Sequence, residues 1–150
     1  MAITQKSKYA LRAILELSVR FGQGPISIGE IAKAQGIPAR FLEAILAQLK
    51  RANLVESRRG NEGGYVLARP PERVTVGDVL RVVQGALADP EVGAADNGNG
   101  NGSRASHSVF APIWEAAVRS SSSVYDAASF HVLVDRYRTA LGNHAADYSI

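Results

Sequence analysis

Apolar side chains recur at every third or fourth position in three stretches of the first third of the chain. The stretches are residues 6–21, a short segment after Ser27, and residues 38–53, which open on a proline. This spacing places apolar side chains on one face of a helix. Ser27 and Glu30 have the separation of a capping box, and Gly36 suits the end of the second segment. The pattern therefore predicts three consecutive helices.

The third predicted helix combines an apolar stripe with a polar remainder. The stripe consists of Phe41, Leu42, Ile45, Leu46 and Leu49. We expect it to face the core, because a helix buries the side on which its apolar residues cluster. At the start of the same helix, Ala39, Arg40 and Glu43 point away from this stripe.

The hydrophobic period changes after the third helix. Residues 54–57 and 65–68 are extended-type runs on either side of the glycine-containing stretch 58–64, which predicts a β-hairpin with a flexible tip. Beyond two prolines, Thr75 caps a fourth helix that ends at about Gln84. The residues of this helix expected to point inward are Val76, Val79, Leu80 and Val83.

The second half of the chain alternates between a polar loop and helices. The stretch between the fourth helix and Val109 is rich in Gly and Asn, which is typical of a flexible loop. Helical periodicity returns at Val109, and a last helix, capped by Ser129, runs to about Leu141. The predicted organisation is a first domain over 1–86, the loop over 87–108, helices over 109–141 and an exposed tail over 142–150.

Charge is distributed unevenly along the chain. Residues 1–75 carry four Lys and eight Arg against six Glu, a net charge of +6, whereas residues 76–150 have a net charge of −3. The first half is therefore the part to which a polyanion is attracted. A solvated basic face without a partner is the alternative.

Composition excludes several classes of protein. The sequence contains no Cys, which rules out disulfides, thiolate nucleophiles and cysteine-ligated metal sites. No apolar run approaches the ~20 residues of a membrane span, and the first residues lack a secretory signal, which predicts a cytoplasmic protein. No nucleophile is paired with a base, and no phosphate-binding loop lies between a strand and a helix. We therefore predict that the protein is not an enzyme.

Three short helices followed by a hairpin form the plan of a winged helix-turn-helix, so the predicted fold class is mainly α with a small β-hairpin wing. In this plan the third helix enters the major groove of DNA, and the wing reaches phosphates or the minor groove. Arg40 can read guanine or hold a phosphate, and Glu43 can accept a hydrogen bond from cytosine. Arg58 and Arg59 suit a narrow minor groove.

Each of these residues also has a simpler interpretation. Arg58 and Arg59 would only keep the edge of the hairpin soluble, and Glu43 would be an ordinary surface residue. Gly63 and Gly64 would serve only the turn. The order of the elements favours DNA binding over these alternatives.

The sequence resembles the Rrf2 family of winged-helix transcription regulators. The matching stretches are Lys8-Tyr9-Ala10-Leu11-Arg12, Ile37-Pro38-Ala39-Arg40-Phe41-Leu42-Glu43, Ala52-Asn53-Leu54-Val55, Arg59-Gly60 with Gly63 to Pro70, and Thr75-Val76-Gly77-Asp78-Val79. They cover residues 3–86 strongly and 109–138 more weakly. The residues then assigned to DNA are Lys8, Tyr9, Ser27, Ala39, Arg40, Phe41, Glu43, Arg58, Arg59, Gly60, Asn61, Gly63, Gly64 and Tyr65.

The resemblance also implies an assembly. It predicts a homodimer that is held by a long C-terminal dimerisation helix and offers two recognition helices to a palindromic operator, as a repressor does. The residues expected at the dimer seam are Phe110, Ile113, Trp114, Ala117 and Val118. A role for Trp114 in the core of a single chain is the alternative.

The chain departs from the family in one respect. Members that bind an iron-sulfur cluster place three cysteines in the loop that here spans residues 93–107, and this sequence has none. His107, even with Asp96 or Glu91, does not supply a cage of soft thiolates, so we read it as a lone solvent-exposed histidine. We therefore predict no cofactor and no metal, and place the chain nearest the cysteine-metabolism repressors of the CymR type.

The last four residues, Asp147, Tyr148, Ser149 and Ile150, resemble a tail by which serine acetyltransferases and CymR-type repressors enter the active site of cysteine synthase (O-acetylserine sulfhydrylase). Such binding is capture of a C-terminal carboxylate. A frayed terminus is the alternative. The competing function is a winged-helix interaction module that regulates a partner such as cysteine synthase without binding DNA.

Overall fold

The computed structural model describes residues 2–85, 87 and 100–148, in which six α-helices and one β-hairpin are found. The elements are α1 (Gln5–Val19), α2 (Ile28–Gln35), α3 (Ala39–Arg51), β1 (Val55–Arg58), β2 (Gly64–Leu67), α4 (Val76–Gln84), α5 (Asn101–Ala127) and α6 (Phe130–Tyr148), with a single 3-10 turn at Pro71–Arg73. The described helices include no segment with the length and hydrophobicity of a transmembrane span. The predicted fold class, mainly α with a hairpin wing and a long C-terminal helix, is confirmed.

Local capping fixes where the short helix α2 begins and ends. The Glu30 amide donates to the Ser27 hydroxyl at 3.2 Å, and the Glu30 carboxylate accepts from the Ser27 amide at 3.4 Å. Gly36 closes the helix with a left-handed backbone (φ 61°), which glycine adopts without a steric penalty. The predicted capping box is confirmed, and both ends of α2 are thereby fixed.

The core lies where α1, α3 and α4 meet the hairpin and α6. Its fully buried side chains include Ile14, Leu17, Ile31, Leu42, Ile45, Leu46, Leu49, Leu54, Val79 and Phe130. In α4, Val79 and Leu80 are buried as predicted, whereas Val76 and Val83 are only half-buried at its margin.

Phe41 does not belong to the buried stripe of α3, and its predicted inward position is wrong. Its side chain is 46% exposed, whereas Leu42 is fully buried. Phe41 lies at the edge of the stripe that Leu42, Ile45, Leu46 and Leu49 form. There the ring of Tyr9 from α1 stacks on it.

Backbone hydrogen bonds join the two strands of the hairpin to each other and join the hairpin to the segment before α2. Its strands are antiparallel, with Val55 opposite Leu67 and Arg58 opposite Gly64. In addition, Ile26 and Tyr65 exchange both backbone hydrogen bonds, at 3.0 and 2.8 Å. A Cβ atom on Gly64 would collide with the carbonyl of Ile26, so only glycine permits this close approach. The wing therefore has a fixed position relative to α2.

The second half differs from its predicted boundaries. Helix α5 begins at Asn101, within the predicted loop over 87–108, and α6 continues to Tyr148, within the predicted tail over 142–150. These added segments have almost no large apolar side chains, so hydrophobic periodicity did not reveal them. Residues 88–99, Ser149 and Ile150 lie outside the described residues, and the interpretation of the last four residues as a partner tail stays a prediction.

The α4 helix is joined to the junction of α5 and α6 by polar contacts. The guanidinium of Arg81 donates to both carboxylate oxygens of Asp126, at 2.6 and 2.7 Å. This hydrogen bonding lowers the pKa of Asp126 from its usual value and raises the pKa of Arg81. The backbone adds two bonds of 2.9 Å, from the Val76 amide to Ala128 and from the Phe130 amide to Val74. These contacts orient the long helix α5 relative to the first domain.

The cap of α4 yields the first testable prediction. The Thr75 hydroxyl accepts from the Asp78 amide at 3.1 Å, and the Asp78 carboxylate accepts from the Thr75 amide at 3.0 Å. We expect Thr75→Ala to lower the free energy of unfolding by ~1 kcal/mol, measured by urea denaturation at one fixed protein concentration. Thr75→Ser keeps the hydroxyl and serves as the control. Equal losses in the two variants would assign the effect to the methyl group and not to the cap.

Candidate nucleic-acid interface

The helices α2 and α3 form a helix-turn-helix, with Gly36, Ile37 and Pro38 as the turn. Pro38 is the N-cap of α3, and the missing amide of proline costs nothing at a helix start. Near the start of α3, Ala39, Arg40, Phe41 and Glu43 are all exposed. This end of the helix thus presents one cationic, one anionic and one aromatic side chain to solvent.

The tip of the wing carries the second group of predicted residues. Arg58, Arg59, Gly60 and Asn61 are all exposed. Gly60 adopts a positive φ of 120°, which lets the chain turn between the strands. Arg58 ends β1 and Arg59 begins the turn, so both residues lie at the narrow, polar end of the wing.

Several cationic groups of this surface have no carboxylate partner. Within the described residues, the ion pairs involve Arg20, Arg69, Arg81 and His131. Arg40, Arg58 and Arg59 take part in none of them, and neither does Lys8. These cations are consequently available for ion pairs with a polyanion.

Helix α1 contributes aromatic and cationic groups beside α3. The rings of Tyr9 and Phe41 stack with centroids 6.3 Å apart and planes at 24°. The guanidinium of Arg12 lies 5.3 Å from the centre of the Tyr9 ring, and that of Arg40 lies 4.7 Å from the centre of the Phe41 ring. Lys8, which directly precedes Tyr9 on α1, is exposed. Arg12 was not among the residues predicted to contact DNA, although its position three residues after Tyr9 places both on one helix face.

Other residues predicted to contact DNA have structural tasks within the protein. The Ser27 hydroxyl is used in capping α2, and the Tyr65 backbone pairs with Ile26. A Cβ atom on Gly63 would collide with the carbonyl of Arg58. Gly63 is therefore required by the turn of the hairpin itself, whereas Gly64 is required by the close approach of the Ile26 backbone.

Helix α5 exposes a row of large apolar side chains. Phe110, Ile113 and Trp114 are 49, 56 and 48% exposed, and the rings of Phe110 and Trp114 stack 6.1 Å apart. Ala117 is exposed too, and Val118 is half-buried. No described residue of α5 is buried. The alternative of a core role for Trp114 within one chain is thus wrong.

The donor atoms of the chain do not fit an iron-sulfur cluster. There is no Cys in the sequence, and it has only three His. Among the described residues, no three His, Asp or Glu come together as a metal site. His107 lies on α5 and is half-buried, whereas it was predicted to be solvent-exposed. A cluster needs soft thiolate ligands, which this chain cannot supply.

The fold is that of a DNA-binding regulator of the winged-helix class. It combines the helix-turn-helix of α2 and α3, the exposed face of α3, and a hairpin fixed beside them. The chain belongs to the Rrf2 family: the family model described as "Iron-dependent Transcriptional regulator" matches residues 3–136. The resemblance predicted from the sequence is confirmed.

Individual relatives agree with this assignment. The chain is 39% identical to the transcriptional regulator CymR of Bacillus subtilis over 92 residues, which cover 61% of this chain and 67% of CymR. It is 33% identical to the transcriptional regulator IscR of Cereibacter sphaeroides over 145 residues, covering 95% of this chain and 86% of IscR. These relatives are named as transcriptional regulators, not as enzymes.

Solved structures resemble the whole described fold. The structure of B. subtilis CymR, called the global cysteine regulator of that organism, superposes with a TM-score of 0.72 at 29% identity, covering 91% of this chain and 98% of that one. The structure of T. potens IscR gives a TM-score of 0.74 at 32% identity, covering 93% of this chain and 90% of that one. The similarity includes the C-terminal helices, so it is not limited to the helix-turn-helix.

Proposed function

We propose that this chain binds a palindromic operator as a homodimer and represses the adjacent genes. The observation that carries the proposal is the exposed surface of α3 and the wing, on which Arg40, Arg58 and Arg59 have no carboxylate partner among the described residues. Unpaired cations on a groove-sized helix and an adjacent hairpin favour DNA over other polyanions.

The two parts of this surface have different tasks. The first turn of α3 enters the major groove, where Arg40 donates to guanine or a phosphate and Glu43 accepts from the amino group of cytosine. The wing lies along the DNA backbone, where Arg58 and Arg59 contact phosphates beside the minor groove. The backbone pairing of Tyr65 with Ile26 keeps the two parts in register.

The homodimer is supported by the exposed face of α5. Phe110, Ile113, Trp114 and Ala117 follow one another at steps of three, one and three, which keeps them on one side of the helix. An apolar row of this kind is costly in water unless another surface covers it. A second copy of the same helix, related by a two-fold axis, covers both rows at once.

Regulation proceeds without an iron-sulfur cluster in this proposal. The lack of thiolate ligands supports it. The similarity to B. subtilis CymR, which is called a global cysteine regulator, supports a finer proposal, namely that the controlled genes serve cysteine or sulfur metabolism. Mapping the bound sites across the genome tests it, because the genes next to those sites name the pathway.

The binding experiment begins with selection of the operator from random duplex DNA. We expect a palindromic site and a dissociation constant that rises steeply with salt, because phosphate contacts release counterions. A protein-interaction module that had kept the fold but not the function would show weak binding without a salt dependence. Absence of salt-dependent binding in dilute buffer would overturn the proposal.

Arg40 provides the second testable prediction. Replacing Arg40 with Ala should lower affinity for the selected operator about tenfold and relax the preference at one base pair of each half-site. Arg51→Ala removes the same charge at the exposed last residue of α3 and is the control. An unchanged base preference in Arg40→Ala, determined by repeating the selection, would remove this residue from direct readout.

A further inference from the structure

Phe41 is the most unusual residue on the proposed DNA-binding surface. It is the third residue of α3, yet nearly half of its large apolar side chain is in contact with solvent. An aromatic side chain of this size normally contributes its apolar area to a core or an interface. Its exposure beside cationic residues therefore calls for a ligand that is both polyanionic and locally apolar.

The ring of Phe41 has two close side-chain neighbours. The Tyr9 ring stacks on it at 6.3 Å, and the Arg40 guanidinium lies over it at 4.7 Å. A side chain that is already ordered loses less conformational entropy when it binds. This arrangement is typical of a preformed contact, not of a surface residue that moves freely.

An apolar hollow of about 350 Å³ lies next to this ring, between α1 and α3. It is lined by Gln5, Lys6, Tyr9, Phe41, Ala44 and Ile45. Ile45 is buried and forms its floor, whereas Lys6 stands exposed at its edge. No carboxylate lines the hollow, and the exposed Lys8 and Arg40 lie on the same helices. An anionic ligand with an apolar group thus fits the hollow in both charge and polarity.

Duplex DNA carries one apolar group that projects into the major groove, which is the 5-methyl group of thymine. We propose that Phe41, braced by Tyr9, forms a thymine-methyl subsite that makes the protein select thymine at one position of each half-site. The N-terminal residues of a recognition helix are those that reach base edges, and Phe41 is among them. The inference rests on the proposed operator binding and specifies one base of that operator.

The test removes a single methyl group from the DNA. In the operator selected with the wild-type protein, each thymine is replaced in turn by deoxyuridine, which differs only by lacking that methyl group. We expect one position per half-site at which affinity falls about fourfold. This factor corresponds to the free energy gained when one methyl group is buried. At that position, a C·G pair should bind weakly and a 5-methylcytosine·G pair should regain part of the affinity.

Phe41→Ala connects this effect to the residue. The variant should bind the thymine and deoxyuridine operators equally, whereas Phe41→Leu should retain part of the discrimination. Thermal unfolding checks that both variants fold. If Phe41→Ala does not fold, the wild-type series alone still decides whether a methyl group is read.

Two results overturn the subsite. One is a wild-type protein that is indifferent to every deoxyuridine substitution, and the other is the same discrimination in Phe41→Ala as in wild type. If steep salt dependence persists in either case, operator binding stands and only the subsite fails. Loss of all salt-dependent DNA binding would instead contradict the proposed function itself.

Discussion

The variant Arg58→Ala/Arg59→Ala should bind its operator roughly 30-fold more weakly than wild type, at ~1 kcal/mol for each arginine. Both side chains are exposed at the tip of the wing and lack a carboxylate partner within the described chain. Their contacts with the DNA backbone do not depend on sequence, so affinity for nonspecific DNA should fall by a similar factor. Fluorescence anisotropy with operator and random duplexes measures both affinities.

The salt dependence of binding distinguishes the loss of phosphate contacts at the wing from a general loss of positive charge. The slope of the logarithm of affinity against the logarithm of salt concentration should decrease in magnitude by about 1.8, or about 0.9 for each lost phosphate contact. Arg104→Ala/Arg136→Ala removes two exposed guanidiniums from α5 and α6 and is the matched control. If the control reduces the slope as much as the wing variant does, the wing is not the site of contact.

The elements of the first domain could be predicted because their signals are local. Ser27 and Glu30 are three residues apart, and Gly36 ends the helix that they begin, so sequence spacing alone contains the capping geometry. The same is true of Thr75 and Asp78 at the start of α4, where the cap was expected and Asp78 completes a capping box. The exposed residues of α3 and the wing followed from these boundaries.

Features that depend on distant residues could not be predicted in the same way. Arg81 and Asp126 are 45 positions apart, and nothing in either local sequence indicates that they meet. The pairing of Ile26 with Tyr65 is equally remote, although it explains why Gly64 must be glycine. Phe41 shows a related difficulty: helical periodicity gives its angle around α3 but not how far α1 reaches over it.

The boundaries of the second half were mispredicted for a different reason. Hydrophobic periodicity detects a helix by its buried face, and no described residue of α5 is buried in the single chain. The first turns of α5 contain Asn101, Ser103 and Arg104, which carry no apolar signal. Where Phe110, Ile113 and Trp114 supply such a signal, the helix was predicted. The apolar side chains that revealed this helix therefore belong to a face that stays exposed in the single chain.

Replacing Ile113 with Glu should convert the protein into a monomer and lower its operator affinity by about 100-fold or more. Ile113 is 56% exposed and lies between Phe110 and Trp114 on the open face of α5. In a two-fold dimer the substitution places two carboxylates close together in an apolar seam, where neither is hydrated. A monomer then engages one half-site at a time and loses the effective concentration that links the two halves, which is worth about 10²–10⁴-fold.

Val132→Glu is the control for this variant, because Val132 is a β-branched apolar residue on α6 that is 45% exposed. Analytical ultracentrifugation should give twice the chain mass for wild type and the control, and the chain mass for Ile113→Glu. Circular dichroism of Ile113→Glu should be unchanged, since the core of the first domain does not include α5. A variant that stays dimeric would place the interface elsewhere. A monomer with undiminished operator affinity would show that one recognition helix and one wing suffice, contrary to the symmetric arrangement proposed for the operator.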